Sequence, residues 1–323
     1  MQTLIDFDRA PVFAIPATAD SGAAFVSEGM LIEGPQGWGE FSPALDASAP
    51  VLGRWLTASV EGGTVGWPDP VRGRIPVAVR VPAVDAAGAH RMVVESGCAT
   101  ADVVVGHGPL AQDIARVQAV RDAVGASGAV RCDAGGRWGV DDAVAAVSAL
   151  DRAAGGLQYI EQPCATTEEL AAVRRLVDVP VAVDESLRNS ADPSAMDLTE
   201  AADVAVLSFG PMGGVRRALR IAEACGLPCV VTAEGGTSIA LAGAVALAGA
   251  LPELPYACAL GTRMLFAGDV VAQGRWLIPR DGYLPVAPMP PGPDPELLDR
   301  FALTDPERLA WWRQRLADAR TPG

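Results

Sequence analysis

No lysine occurs anywhere in this 323-residue chain, whose 25 basic residues are all arginine. A guanidinium keeps its proton throughout the range in which proteins fold, so any mechanism that needs an amine base or a Schiff-base nitrogen is excluded. Against 39 acidic residues the arginines leave a net charge of −14, which argues against nucleic acid or an anionic membrane surface as partner. The six cysteines (Cys98, Cys132, Cys164, Cys225, Cys229 and Cys258) form no CxxC pair and no secreted framework. The opening "MQTLIDFDRAP" carries acids where a signal peptide needs a basic end and an apolar run. No stretch reaches the length of a membrane span without Gly, Pro or charge. A soluble, cytoplasmic protein is expected, with a small molecule as its partner. Nothing in the sequence selects between monomer and homo-oligomer.

What the chain does have is a rhythm. Half of it is hydrophobic while aromatics make up 5%, so Ala, Val and Leu must fill the core. From Ile75 to about residue 260, near-continuous apolar segments alternate with amphipathic ones, at 75–81, 101–105, 129–133, 157–161, 180–184, 203–208, 228–232 and 256–260. In 110–124, Leu110, Ile114, Val117, Val120 and Val124 recur at helical spacing, and Asp113, Arg116, Arg121 and Asp122 are expected to face out. Gly125, Gly155 and Gly226 mark helix stops. Buried strands alternating with helices predict an all-parallel sheet, and about eight of them favour a closed (β/α)7–8 barrel. Residues 1–74 read as an antiparallel sheet plus a helix, the first part of an α+β cap. Residues 75–267 are then the barrel, and 268–323 return to the cap through a terminal helix over 306–320 that offers Trp311 and Trp312 for docking.

Three apolar runs end in a single carboxylate: "AVRCD" in Asp133, "LQYIE" in Glu161 and "VPVAVD" in Asp184. At the carboxyl ends of successive parallel strands these groups converge, and crowded carboxylates call for a hard cation. The alternative is pairing with buried arginines such as Arg131. Glu185, next to Asp184, is expected by alternation to point away.

Three carboxylates at strand ends, in a barrel capped from both termini, resemble the enolase superfamily. Within it the chain looks most like the actinobacterial o-succinylbenzoate synthases. The matching pieces are "EGPQGWGEFSP" at 33–43, "VPAVDA" at 81–86, "DAGGRW" at 133–138, "EQPCATTEELAAVRR" at 161–175, "VDESLR" at 183–188, "PMGGVRRALRIAEACGLP" at 211–228 and "LPELPYACALGT" at 251–262. The resemblance implies Mg²⁺ or another divalent cation held by Asp133, Glu161 and Asp184. It also implies lysines that this chain replaces: a Lys-x-Lys on the second strand reads Asp102 and Val104, and a lysine ending the sixth strand reads Ser208. An expected "ETS" reads "GTS" at 236–238, preceded by Glu234, and arginines of the cap loop give way to Thr18, Asp20 and Gly22.

The remaining proton carriers near the strand ends are His107, Asp102 and Glu234, with Ser208 as a hydrogen-bond donor. Asp102 serves as a base, as an added metal ligand or as the partner of an arginine; His107, in a loop, has an unperturbed pKa suited to neutral pH. Three functions follow. One is a repurposed metal-dependent lyase, cyclase or isomerase acting on a carboxylate or carbonyl compound. Another is a non-catalytic homologue that binds a ligand or partner. The third is o-succinylbenzoate synthase itself, with unexpected groups replacing both lysines.

Overall fold

Parallel strands joined by helical crossovers are covered on both faces, and eight of them can close on themselves. The chain does this in a computed structural model that describes residues 5–19, 26–233, 235–287 and 289–321. It begins with an antiparallel sheet of β1 (Val12–Pro16), β2 (Val26–Gly34) and β3 (Gly37–Phe41), followed by α1 (Ala49–Thr64). The barrel then runs β4 (Arg74–Val81), α2 (Ala86–Ser96), β5 (Thr100–Val104), α3 (Leu110–Val124), β6 (Ala129–Asp133), α4 (Val140–Ala154), β7 (Ile160–Glu161), α5 (Thr167–Arg174) and β8 (Val181–Val183). It continues through α6 (Glu185–Arg188), β9 (Val204–Ser208), α7 (Val215–Cys225), β10 (Cys229–Thr232), α8 (Ser238–Ala250) and β11 (Cys258–Gly261). After the barrel come β12 (Tyr283–Pro285), α9 (Pro295–Arg300) and α10 (Pro306–Ala319). β11 pairs in parallel with β4 through Cys258 and Val77 and through Gly261 and Val79, which closes the barrel.

Alternation divides the strand side chains. Val77, Val79, Val81, Val103 and Val105 pack outward in the large cluster beneath the helices. Tyr159, Ala182, Val204, Val206 and Val230 fill the interior. Gly125, Gly155 and Gly226 cap the C-termini of α3, α4 and α7, as their positions in the sequence predict. Asp113 and Arg116 depart from the expected outward face. Both are buried, because the loop after β5 folds over the first turns of α3: Asp113 accepts from Gly106 N at 2.9 Å, and Arg116 donates to Val104 O at 3.0 Å and to Val84 O at 2.6 Å.

The cap core joins α1, the three-stranded sheet and α10. Trp312 is fully buried against Phe41, with ring centroids 6.3 Å apart, and its indole N–H donates to Glu28 at 2.8 Å. Trp55 of α1 lies over Gly210, where an added Cβ would come within 2.4 Å of the indole. Polar contacts seat the cap on the barrel more specifically. Glu61 in α1 accepts from Val215 N at 2.6 Å and Arg216 N at 3.2 Å, so it caps the N-terminus of α7. Glu40 in β3 does the same for α8, accepting from the Thr237 hydroxyl and from Thr237 N at 3.2 Å.

Burial pushes the Glu40 carboxyl up to about 7, against the pull of its Thr237 and Ser42 hydrogen bonds. In the unfolded chain the same group ionises near its ordinary value of 4.5. The folded state therefore binds the extra proton between these values, and stability present at lower pH is lost as pH rises through about 7. A shift of that size corresponds to roughly 3 kcal/mol. Urea melts from about pH 5 to about pH 8 are expected to show this decline in the parent and a flatter profile in Glu40→Gln; equal slopes would remove the account.

Candidate active site

Asp133 and Glu161 are the last residues of β6 and β7 and lie opposite each other in register. Asp184 follows β8 and leads into α6. All three line a single pocket of about 130 Å³ at the carboxyl end of the barrel. Gln162, next to Glu161, is bonded to the backbone of Asp184. Its backbone takes φ +39°, an uncommon left-handed conformation for a residue other than glycine. Its amide donates to Cys164 O at 2.8 Å and Ser186 Oγ at 2.6 Å, and its carbonyl oxygen accepts from Asp184 N at 2.9 Å. One side chain thus ties the loop after β7 to the loop after β8.

Two guanidiniums share this space. Arg80, near the end of β4, donates to Asp102 at 2.8 Å and to Oδ2 of Asp133. Arg188 lies 3.3 Å from Asp184 Oδ1 and 2.6 Å from Glu185 Oε1. Glu185 therefore lines the pocket and does not point away, because the chain turns into α6 directly after Asp184 and strand alternation ends there. Burial opposes charge on Arg80, but Asp102, Asp133 and Glu161 outweigh it and hold its pKa well above the ordinary value. Burial, reinforced by Asp133, Asp102 and Asp184, pushes Glu161 well above the usual carboxylate range against the influence of Arg80.

Two of the expected proton carriers, Asp102 and His107, do not line this pocket. Asp102 is fully buried below the pocket, between Arg80 and Arg131, whose Nε is 3.9 Å away. His107 stands on the exposed loop after β5 and is absent from the pocket lining; partial burial and then Arg137 lower its pKa. Ser208 ends β9, buried beside a small neighbouring cavity that shares Thr232 and Gly235, and its hydroxyl has no partner among the described residues. Glu234, Asp20 and Gly22 lie outside the described residues.

The family model described as "Enolase C-terminal domain-like" matches residues 85–293, and "Enolase N-terminal domain-like" matches 12–62. The chain is 49% identical over 310 residues to the o-succinylbenzoate synthase of Thermobifida fusca, covering 95% of each. It is 43% identical to that of Mycolicibacterium smegmatis, covering 96% of this chain and 94% of the relative. This chain belongs to the enolase superfamily, in the o-succinylbenzoate synthase family. Among solved structures, 2-chloromuconate cycloisomerase from Rhodococcus opacus superposes with a TM-score of 0.76 at 22% identity, over 94% of this chain and 100% of that one. Muconate lactonizing enzyme from Pseudomonas putida gives 0.75 at 20% identity, over 93% and 99%. At that identity these two bear on the fold alone.

The family resemblance implies a divalent cation at Asp133, Glu161 and Asp184. These residues as arranged do not fit one: Arg80 takes an oxygen of Asp133 and Arg188 sits against Asp184. Among the described residues no three of His, Cys, Asp and Glu form a group that could hold a metal ion. Arg80, Arg188 and Gln162 are the site residues for which the sequence reading gave no role. The signal for Arg80 is one charged residue on the inward alternate of an otherwise apolar strand end, "VAVRV".

The burial of Asp102 generates a direct test. Asp102→Asn leaves Arg80 and Arg131 short of a partner in the barrel interior and is expected to cost about 3–5 kcal/mol of stability, read as a lowered urea midpoint. A proton carrier at this position would show the reverse pattern, with stability kept and activity lost.

Proposed function

We propose that this chain is an o-succinylbenzoate-synthase-type lyase acting on a carboxylate-bearing small molecule in the pocket at the top of the barrel. What supports this reading is the end-to-end likeness to the Thermobifida fusca enzyme. The pocket's chemistry is compatible with it. o-Succinylbenzoate carries two carboxylates on an aromatic and a ketone part, and the lining offers the guanidiniums Arg80 and Arg188 beside an apolar wall of Leu265 and Phe266. The six cysteines are free thiols, which suits a reducing cytoplasm.

The chain supplies no lysine to move the proton. A positioned base is worth about 10²- to 10⁴-fold in rate, so turnover is expected well below the roughly 1 to 10³ per second of ordinary enzymes. A repurposed lyase that relies on Asp102 has less support, since that carboxylate is closed off in an ion pair. A second reading, a protein that binds the ligand without turning it over, is favoured by one observation: Arg80 is already committed to two carboxylates of the site.

An assay for o-succinylbenzoate formation, paired with calorimetry of o-succinylbenzoate binding, separates them. Slow turnover above background that falls at least 10-fold in Arg188→Met supports the lyase. Binding without turnover moves the assignment to the ligand-binding protein. Neither binding nor turnover overturns both.

A further inference from the structure

Across β4, β5 and β6 the register places Arg80 beside Asp102 and Asp102 beside Arg131. The inward row of three neighbouring strands thus carries cation, anion and cation. The Arg80 side chain is long enough to reach from this row to the next, where its second terminal nitrogen meets Asp133. On the other side of the pocket Arg188 is shared in the same way between Asp184 and Glu185. Each guanidinium serves two carboxylates, and Glu161 lines the pocket with both.

We infer that the Arg80 guanidinium is the resident cation of this carboxylate cluster and occupies the seat a divalent ion would take beside Asp133, Glu161 and Asp184, so that the site is partly neutralised without metal. A magnesium ion needs near-octahedral oxygen ligands at roughly 2.0–2.1 Å. Asp133 has neither oxygen free for it, since Oδ2 accepts from Arg80 and Oδ1 from Gly135 N at 2.9 Å, and an ion there would also stand against the Arg80 guanidinium. Moving Arg80 aside is opposed from below, because Asp102 is fully buried and its other cation, Arg131, stands 3.9 Å away. Arginine does not release its proton in a protein, so the seat stays filled at every pH that preserves the fold. The inference concerns cation binding, and its readouts are heat and melting temperature, so its failure is distinguishable from failure of the lyase reading.

The test is a titration of the full-length protein with Mg²⁺ and Mn²⁺ by calorimetry, alongside melting curves with and without chelator. The parent is expected to show no saturable heat up to about 10 mM and no change in melting temperature with metal or chelator. Arg80→Ser is expected to melt lower and to gain saturable binding with Kd below about 1 mM, with the metal raising its melting temperature. Adding Asp184→Asn to that variant is expected to abolish the gain. Should Arg80→Ser fail to fold, the double variant Arg80→Gln with Asp102→Asn removes both charges of the pair and carries the same expectation. Two results overturn the inference: sub-millimolar metal binding by the parent that Asp184→Asn removes, or no gain of metal binding in any folded Arg80 variant.

Discussion

Carboxylates gathered in a region of low polarity raise one another's pKa and repel unless cations share the space. The top of this barrel depends on how that conflict is resolved. Arg80 holds Asp102 and Asp133 together, and the two anions belong to different strands, so one guanidinium spans the heads of β4, β5 and β6. Arg131 sits below with its guanidinium 5.0 Å from the centre of the Tyr159 ring and one nitrogen donating to Ala257 O at 2.7 Å. The polar interior is therefore tied from β4 round to the approach to β11. A hydrophobic filling would give the strands contact but would fix no position for the carboxylates above.

The cap applies complementary charge at the same end of the barrel. Glu61 accepts from N–H groups at the N-terminus of α7, where the helix dipole favours an anion, and Glu40 accepts from Thr237, the N-cap of α8. Arg54 of α1 works in the opposite sense and donates to carbonyl oxygens, among them Pro211 O at 2.5 Å and Arg188 O at 2.8 Å. The second contact matters for the pocket, since it holds the backbone of the residue whose side chain faces Asp184. Cap docking and site geometry are thus one mechanical problem.

The barrel and the cap were legible in the sequence because they follow from local pattern: apolar runs of strand length, helical spacing such as Leu110 to Val124, and glycines where helices stop. The convergence of Asp133, Glu161 and Asp184 was legible for the same reason, each being the last carboxylate of a run. Their partners were not. Arg80 finds Asp102 across 22 residues and Asp133 across 53, and only the strand register brings them together. The reading of Asp113 as outward failed because helical spacing does not include the loop that folds over α3. That of Glu185 failed because a strand rule was carried one residue into a helix.

Exchanging every lysine for other residues while keeping arginines divides two roles that lysine combines. An ammonium can stabilise developing charge and can also give up its proton; a guanidinium does the first and not the second. Around the pocket the positive charge is present in Arg80 near the end of β4 and Arg188 in α6, whereas Val104 and Ser208 supply no base. The titratable side chains left lining the pocket are carboxyl groups. Among the groups lining it, Glu161 is pushed toward the neutral acid by burial, while Asp133 is held as the partner of a cation. The lyase reading thus rests on the likeness of the whole chain to its relatives, and the ligand-binding reading is what remains when no group lining the pocket exchanges a proton with the substrate.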